Sequence, residues 1–368
     1  MKVNTISLNS VRLNTIALNH IGEIRSGGGG SKPSPIPQWI REHVVFYYDV
    51  KKQGATNETL KESAYLQDLS GKGRRMKLNN FLFAEMSGVG GYKNDTFDNA
   101  QNSIKWELID SRTIKGKVTQ SFSDFRYYHI KDVVDNVMHI NWHIDGIQEG
   151  NKVYLSQYMH NNFKIELHNG DNHVALDVSE NTNASNYFYV SVISDQPYST
   201  DITITQIPEY PGALVTDGVD DYGLVENLSS GVKMLFMTVN PIGDYNSRKD
   251  YYSQIKKYGD DFRVIAYPND IAYNYENPNN VTYINGVLNK SIYPEELFDI
   301  KHTFTIVNNA VPLSEDRTCV FFRYNLGGDY YSRIAFYNSI AFDFIPTEAD
   351  GFTEQELIDY VITNIIGQ

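Results

Sequence analysis

Residues 212–223 read GALVTDGVDDYG, and the apolar run VKMLFMTV follows at residues 232–239. The Asp and Gly residues of the first stretch are typical of a turn, whereas the second stretch is rich in residues that favour strands. Farther along, YINGVLN at residues 283–289 carries Asn285 and Gly286 where a two-residue hairpin turn needs them. These stretches predict β-strands joined by tight turns.

The segments on either side have the same character. The run VVFYY near residue 44 is strand-like and is followed by a turn cluster, DLSGKG, at residues 68–73. At the other end, YYSRIAFYNSIAF at residues 330–342 predicts one or two strands. A short helix is predicted from Thr353 to about Ile365, because Thr353 and Glu356 have the spacing of a capping box. The fold class predicted from these segments is all-β.

In this order the motifs resemble the laminin-G-like, or concanavalin-A-like, jelly roll. Members of that family open with a YYD…DLSGNG segment, continue with FDGVDDY and YVNGVL, and close with IAEIRIYNRALSDEEI. The resemblance covers about residues 39–98 and 209–368, and it implies a jelly-roll fold without naming a ligand. The matching stretches are Tyr47–Asp49 with Asp68–Gly73, Asp217–Tyr222, Tyr283–Leu288, and Arg333–Asn338 with Thr353–Leu357.

Residues 99–208 separate DLSGKG from DGVDDY, where the family needs only a short connection. Since loops of that length are uncommon inside a compact domain, we predict an inserted second domain. Its runs alternate, as Ile202, Ile204 and Ile207 do with polar neighbours, and their spacing of about 8–12 residues predicts an immunoglobulin-like sandwich. The closing YFYVSVISDQPYSTDITITQ resembles the end of the BACON module, which implies either glycan or mucin binding or a spacer role.

The first twenty residues divide into four pentads, MKVNT, ISLNS, VRLNT and IALNH. Each has an apolar third residue followed by Asn, a period that fits neither a helix nor a simple strand. The pattern resembles the pentapeptide repeat, in which four pentads make one turn of a β-solenoid. One turn cannot bury its own apolar side chains, so residues 1–26 are expected to be an assembly arm that orders against a partner, or else a flexible tail. The apolar positions of the arm are Ile6, Leu8, Val11, Leu13, Ile16 and Leu18.

A linker is predicted at residues 27–38, between the arm and the main domain. Its GGGGS run is a flexible joint, and Pro33, Pro35 and Pro37 stiffen the chain after it. The run has the composition of a natural hinge and equally of an engineered one. The predicted organisation is therefore an arm at 1–26, a linker at 27–38, a jelly roll at 39–98 and 209–368, and an inserted sandwich at 99–208.

The amino-acid composition limits the classes of function that fit this chain. Tyrosine is the outlier, with 27 residues against 18 Phe and 3 Trp, which favours sheets and binding surfaces. A net charge of −13 argues against sequence-independent binding to the phosphates of nucleic acids. Because Cys319 is the single cysteine, an intramolecular disulfide is excluded. Its place in the apolar run CVFFRY predicts a buried thiol. No run is long enough to span a membrane and the N-terminal residues lack a signal-peptide core, so synthesis in a cytoplasm is expected.

The candidate sites are few. Asp217, Asp220 and Asp221 offer oxygen ligands for calcium, but the same residues are ordinary turn chemistry, so no metal or other cofactor is predicted. His139 and His143 lie in the strand-like HINWHI, which favours a structural role. No pair of carboxylates or catalytic motif stands out, so no enzyme is predicted. The residues expected to stack on sugar rings are Tyr245, Tyr251, Tyr252, Tyr273, Tyr275, Tyr330 and Tyr331.

A displayed β-domain, a small repeat arm behind a hinge, and no export signal are together typical of a phage fibre. The same order of segments resembles proteins of Bacteroidetes phages, including the crAss-like group. The expected function is therefore a virion-surface head or tail fibre, made in the host cytoplasm. It would bind other virion proteins through the arm, form a homo-oligomer with a trimer favoured, and contact glycans or a host surface, without nucleic-acid binding or membrane insertion. The alternatives are a free or surface-anchored bacterial carbohydrate-binding protein and a glycan-degrading enzyme.

Overall fold

The computed structural model describes residues 35–84, 86–92, 97, 106–119, 137–157, 164–177, 188–193, 199–228, 231–243, 249–255, 262–266, 280–289, 299–308, 317–323 and 331–367. The chain is mostly β-structure in several antiparallel sheets, with a short C-terminal helix, which confirms that part of the sequence prediction. It divides into two compact units. Unit 1 takes residues up to 83, 87–89 and from 212 onward, and unit 2 takes residues 84–86 and 90–211.

The helices and strands are numbered in chain order. The helices are α1 Ile36–His43, α2 Asn57–Ser63 and α3 Glu354–Val361, with a 3₁₀ turn at Glu348–Asp350 and a π turn at Ile362–Ile366. The strands are β1 Val44–Asp49, β2 Tyr65–Leu66, β3 Met76–Asn79, β4 Gly88–Val89, β5 Trp106–Asp110, β6 Thr113–Thr119, β7 Val137–Asp145, β8 Lys152–Gln157, β9 Lys164–Leu167, β10 Gly170–Asp177, β11 Phe188–Ile193, β12 Ser199–Gln206, β13 Leu214–Val215, β14 Tyr222–Leu228, β15 Met234–Pro241, β16 Lys249–Ile255, β17 Phe262–Ala266, β18 Asn280–Ile284, β19 Val287–Asn289, β20 His302–Asn308, β21 Arg317–Phe321 and β22 Ile334–Phe342.

Unit 1 contains two antiparallel sheets that share one core. The eight-stranded sheet has the order β19-β18-β20-β15-β22-β13-β4, with β1 also paired to β22, and the six-stranded sheet has the order β17-β16-β21-β14-β3-β2. Phe46 and Phe336 of the larger sheet lie 5.9 and 6.0 Å, centroid to centroid, from Phe321 of the smaller one. The described part of unit 1 is therefore sandwich-like, and Cys319 is buried in this core, as its sequence context predicts.

The larger sheet is buried on both faces, and this explains the apolar run VKMLFMTV. Leu235 and Met237 point into the core between the sheets, whereas Met234 and Phe236 belong to a second cluster on the opposite face. Every residue of β15 is buried. Since both sides of the strand meet apolar neighbours, the sequence shows a continuous hydrophobic run instead of an alternating one.

Helices α1 and α3 cover that second face. Trp39 and Ile40 of α1 and Leu357 and Ile358 of α3 are buried in the same cluster. Helix α3 begins as predicted, because the Thr353 side chain accepts from the Glu356 amide and the Glu356 carboxylate accepts from the Thr353 amide. The predicted helix continues beyond α3 as the π turn.

The N-terminal helix α1 begins inside the linker that the sequence predicts at residues 27–38. The prediction is wrong for residues 36–38, because the helix starts at Ile36 with Pro35 at its N-cap. Proline suits the first turn of a helix because no backbone N–H is required there. The ordered domain therefore starts before residue 39.

The predicted turns of unit 1 are present. Asn285 and Gly286 both have positive φ, 51° and 82°, as the two-residue turn between β18 and β19 requires. In the DLSGKG cluster, the Asp68 carboxylate accepts backbone amides from Tyr47, Ser70 and Arg74 at 2.9–3.0 Å. A single buried carboxylate thus closes this loop onto β1.

Unit 2 contains a five-stranded sheet, ordered β10-β7-β12-β6-β5, and a three-stranded sheet, ordered β11-β8-β9. Ile202 and Ile204 of β12 are fully buried, while Thr203 and Thr205 between them are half-exposed. The predicted alternation stops at the end of the strand, where Gln206 is buried because its backbone and side chain both bond Arg112. This unit extends to residues 90 and 211, whereas the predicted insert spans 99–208.

Candidate functional site

Most of the tyrosines predicted to bind glycans lie outside the described residues, as do the six apolar residues of the arm. Tyr245, Tyr273, Tyr275 and Tyr330 belong to that group. Tyr251 lies in β16, where the register of pairing with β17 shifts between Asp250 and Tyr252, so Tyr251 occupies a bulge. Its role in binding stays a prediction.

The DGVDD loop, which joins β13 to β14, is closed by its own carboxylates. Asp217 Oδ1 accepts from the Val219 amide at 2.7 Å, and Asp221 Oδ2 accepts from the Asp217 amide at 2.9 Å. Gly218 has a φ of +78°, and a side chain there would lie 2.9 Å from Arg333 Cβ. Both facts require glycine at this position and match the turn chemistry expected of the motif.

Asp221 is the buried member of the loop. Its side chain is fully buried, and its Oδ1 accepts from the Ser87 hydroxyl at 3.1 Å, which in turn accepts from the Leu82 amide at 2.9 Å. Burial raises the pKa of Asp221 to about 7, and the nearby Asp217 and Asp220 carboxylates add to the rise. The carboxyl group therefore joins the loop to the segment at residues 82–87 and takes up a proton near neutral pH.

The same three aspartates are the one group of three possible metal ligands within the described residues, with oxygens within 4.8 Å of one another. Calcium takes about 6–8 oxygen ligands. Here Asp217 and Asp221 already accept backbone amides, and the carbonyl of Asp220 accepts from Asn80 Nδ2 at 3.1 Å. These bonds support the turn interpretation, which the sequence analysis preferred to a calcium site.

A cation held between two aromatic rings stands beside this loop. The Arg323 guanidinium lies 5.1 Å from the ring centre of Tyr222 and 5.0 Å from that of Tyr331. Tyr222 follows Asp221 directly, so the aromatic pair and the acidic loop occupy the same end of unit 1. We call this set the loop-end cluster; its members are Asp217, Asp220, Asp221, Tyr222, Arg323 and Tyr331.

Of the three carboxylates in the loop-end cluster, Asp220 is the exposed one, and the Tyr222 and Tyr331 rings are half-exposed. An exposed carboxylate can accept hydrogen bonds from hydroxyl groups, and such rings offer apolar contact. Of the aromatic members of the cluster, sequence analysis selected Tyr331 but missed Tyr222. The signal for Tyr222 was its position directly after the acidic motif. Arg323 carried no local signal, because it meets Tyr222 through the pairing of β14 with β21 and Tyr331 through a separate β-bridge.

The histidines of HINWHI lie in a strand, β7, as predicted. His143 stands between two carboxylates, with Nδ1 2.5 Å from Asp171 and Nε2 3.4 Å from Asp145. The hydrogen bond to Asp171 is the main cause of the raised pKa of His143. One ring nitrogen is thus engaged across the β7–β10 pair and the other along β7, an arrangement that fits a structural role.

The family models and the curated proteins contain no match to this chain. Within the described residues, each helix falls short of the length and apolar character needed to cross a bilayer.

Proposed function

We propose that this chain is a non-enzymatic fibre protein of a phage particle, in its head or tail, which is anchored by residues 1–26 and displays β-domains to glycans or a host surface. The observation that carries the proposal is the five-residue repeat of the first twenty residues, set before a glycine joint. Such a repeat needs a partner to bury its apolar positions, and a fibre supplies sister chains or a particle socket.

The finer fold belongs to the same proposal: a jelly roll interrupted by an immunoglobulin-like or BACON-like sandwich. Two sheets around one core support the first half. For the second half, the chain leaves unit 1 after β4 and returns at β13, and these strands pair, with Val89 opposite Leu214 and Gly88 opposite Val215. Adjacent ends are what an inserted domain requires of its host.

The loop-end cluster argues against acid–base catalysis by its own carboxylates. Asp217 and Asp221 are engaged by backbone amides, and Arg323 is engaged by two rings. General acid–base work needs a carboxylate pair with access to a substrate. A soluble glycan-cleaving activity that single carboxylate changes abolish would contradict the non-enzymatic assignment.

The solution mass of the intact chain, measured by light scattering after size exclusion, tests the anchoring arm. We expect an oligomer, with a trimer favoured, that becomes a monomer when residues 1–31 are removed. A variant with Leu8, Leu13 and Leu18 changed to serine should behave like the truncated chain, because the apolar positions would make the contact. Its matched control changes Asn9, Asn14 and Asn19 to serine and should keep the oligomer.

Monomers of the intact and the truncated chain alike would mean that the arm does not associate with its own copies. Binding of that monomer to purified particles, lost on truncation, would then support a particle socket. A monomer that binds glycans but no particle would favour the free or surface-anchored bacterial carbohydrate-binding protein and contradict the fibre assignment.

A further inference from the structure

Three lysines stand together at the end of β1 in unit 1, although the chain carries a net charge of −13. Lys51 and Lys52 follow β1 after Val50, and Lys301 directly precedes β20. Lys51 and Lys301 are exposed, although part of the Lys301 side chain is buried, and the Lys52 side chain is 31% exposed. A concentration of positive charge on an acidic protein marks a surface that attracts anions.

The β1–β22 pair brings these lysines to one place. The Val50 amide donates to the Tyr337 carbonyl at 3.0 Å, and Lys301 Nζ lies 4.0 Å from the centre of the Tyr337 ring. Lys52 Nζ lies 3.9 Å from Asp49 Oδ2. Tyr337 thus links the turn after β1 to the segment before β20.

The charges of this patch do not balance. Asp49 is the carboxylate that interacts with Lys52 and Lys301 among the described residues, and it is itself almost fully buried. Burial lowers the pKa of Lys301, the charge of Asp49 opposes that shift, and the charge of Lys51 adds to it. Three ammonium groups against one carboxylate leave an excess of two positive charges.

An aromatic ring lies beside the charges. The Tyr337 side chain is half-exposed, and the Lys301 ammonium lies over its ring. A ring of this kind offers an apolar surface that a sugar ring can contact.

We propose that the patch of Lys51, Lys52, Lys301 and Tyr337 binds an acidic saccharide, one that carries carboxylate or sulfate groups. The lysines attract the anionic groups, and the half-exposed Tyr337 ring contacts the sugar ring. The inference rests on the proposed adhesion function and specifies the class of glycan.

The test uses the full chain with four probes: polygalacturonate, dextran sulfate, neutral dextran and duplex DNA. The double variant K51S/K301S removes two charges from the patch, and K61S/K77S, at exposed positions elsewhere in unit 1, removes two as a matched control. Lys52 is left in place because it also bonds the Ile365 carbonyl. We expect one or both acidic polysaccharides to bind the native chain and the control, with about tenfold weaker binding to K51S/K301S.

Binding should weaken with added salt, and neutral dextran should not compete. Equal weakening in both double variants would reveal a general charge effect and overturn the inference. The inference would also be overturned if duplex DNA bound as tightly as the acidic polysaccharides and lost that binding in K51S/K301S. The surface would then accept any polyanion. If neither acidic polysaccharide binds, the inference fails alone, because the solution mass of the chain with and without residues 1–31 tests the fibre proposal independently.

Discussion

The eight-stranded sheet of unit 1 and the five-stranded sheet of unit 2 are both antiparallel, but they bury their strands differently. Strand β15 is buried along its whole length, because one face meets the smaller sheet and the other meets α1 and α3. Strand β12 alternates buried isoleucine with half-exposed threonine. The hydrophobic pattern of a strand therefore indicates how many of its faces are covered. An alternating pattern means one covered face, and a continuous apolar run means two.

The largest expected effect is in β15, where neighbouring substitutions should both be costly. Phe236→Ala should lower the free energy of unfolding by about 3–5 kcal/mol and Met237→Ala by about 2–5 kcal/mol, because each leaves a cavity in a different apolar cluster. Urea unfolding of unit 1, followed by hydrogen exchange of its strands, measures both. A change near zero at either position would show that one face of the sheet is not packed as described.

In β12, neighbouring substitutions should differ. Ile204→Ala should cost about 2–5 kcal/mol, since Ile204 is fully buried. Thr205→Ala, on the half-exposed face, should change stability by no more than about 0.5 kcal/mol. Hydrogen exchange in β7 and β12 reports both variants. Equal losses would mean that the second face of this sheet is also covered and would remove the contrast with β15.

The buried Asp221 and the exposed Asp220 of the same loop should differ in how they affect the pH dependence of unfolding. Because the folded-state pKa of Asp221 is about 7 against an ordinary 3.8, the folded state holds this proton more tightly than the unfolded chain. The Asp221 contribution to the free energy of unfolding of unit 1 should therefore fall as pH rises from about 4 to about 7. Asp221→Asn should reduce the decline, with a remainder from Asp49, whose pKa burial also raises, whereas Asp220→Asn, at an exposed position of the same loop, should keep the full decline. Unfolding curves across this pH range would contradict the assignment if both variants behave alike.

The smallest expected effect concerns the helix that covers the second face of the larger sheet. Thr353→Ala removes the side chain that accepts the Glu356 amide, and it should cost about 1 kcal/mol. Thr363→Ala, at an exposed position of the π turn, is the control and should cost less. We expect faster hydrogen exchange of the α3 amides in Thr353→Ala and not in Thr363→Ala. Equal exchange in the two variants would mean that the capping box does not stabilise the helix.

Sequence reasoning worked where a few neighbouring residues set the backbone. The turn at Asn285 and Gly286, the capping box at Thr353 and the apolar run of β15 all follow from local preferences, and each is present. It failed at Pro35 and Pro37, which were assigned to a linker although proline also opens helices. What separated the two interpretations was the burial of Trp39 and Ile40 on the sheet, a contact with residues far along the chain.

The candidate sites divide in the same way. Asp217–Asp221 was found as a motif because the bonds that shape its turn, from the Val219 and Asp217 amides, lie within the loop. The position of Arg323 between Tyr222 and Tyr331 depends instead on strand pairing. The basic patch was not found either, because Lys51 and Lys301 are separated by most of the chain. Sequence by itself determined the strand-forming runs, the tight turns, the helix start and the pentad repeat, since these reflect backbone and side-chain preferences over a few residues. Tertiary structure alone decided which faces are covered and which charges and rings meet, because antiparallel pairing joins segments whose separation in sequence carries no local signal.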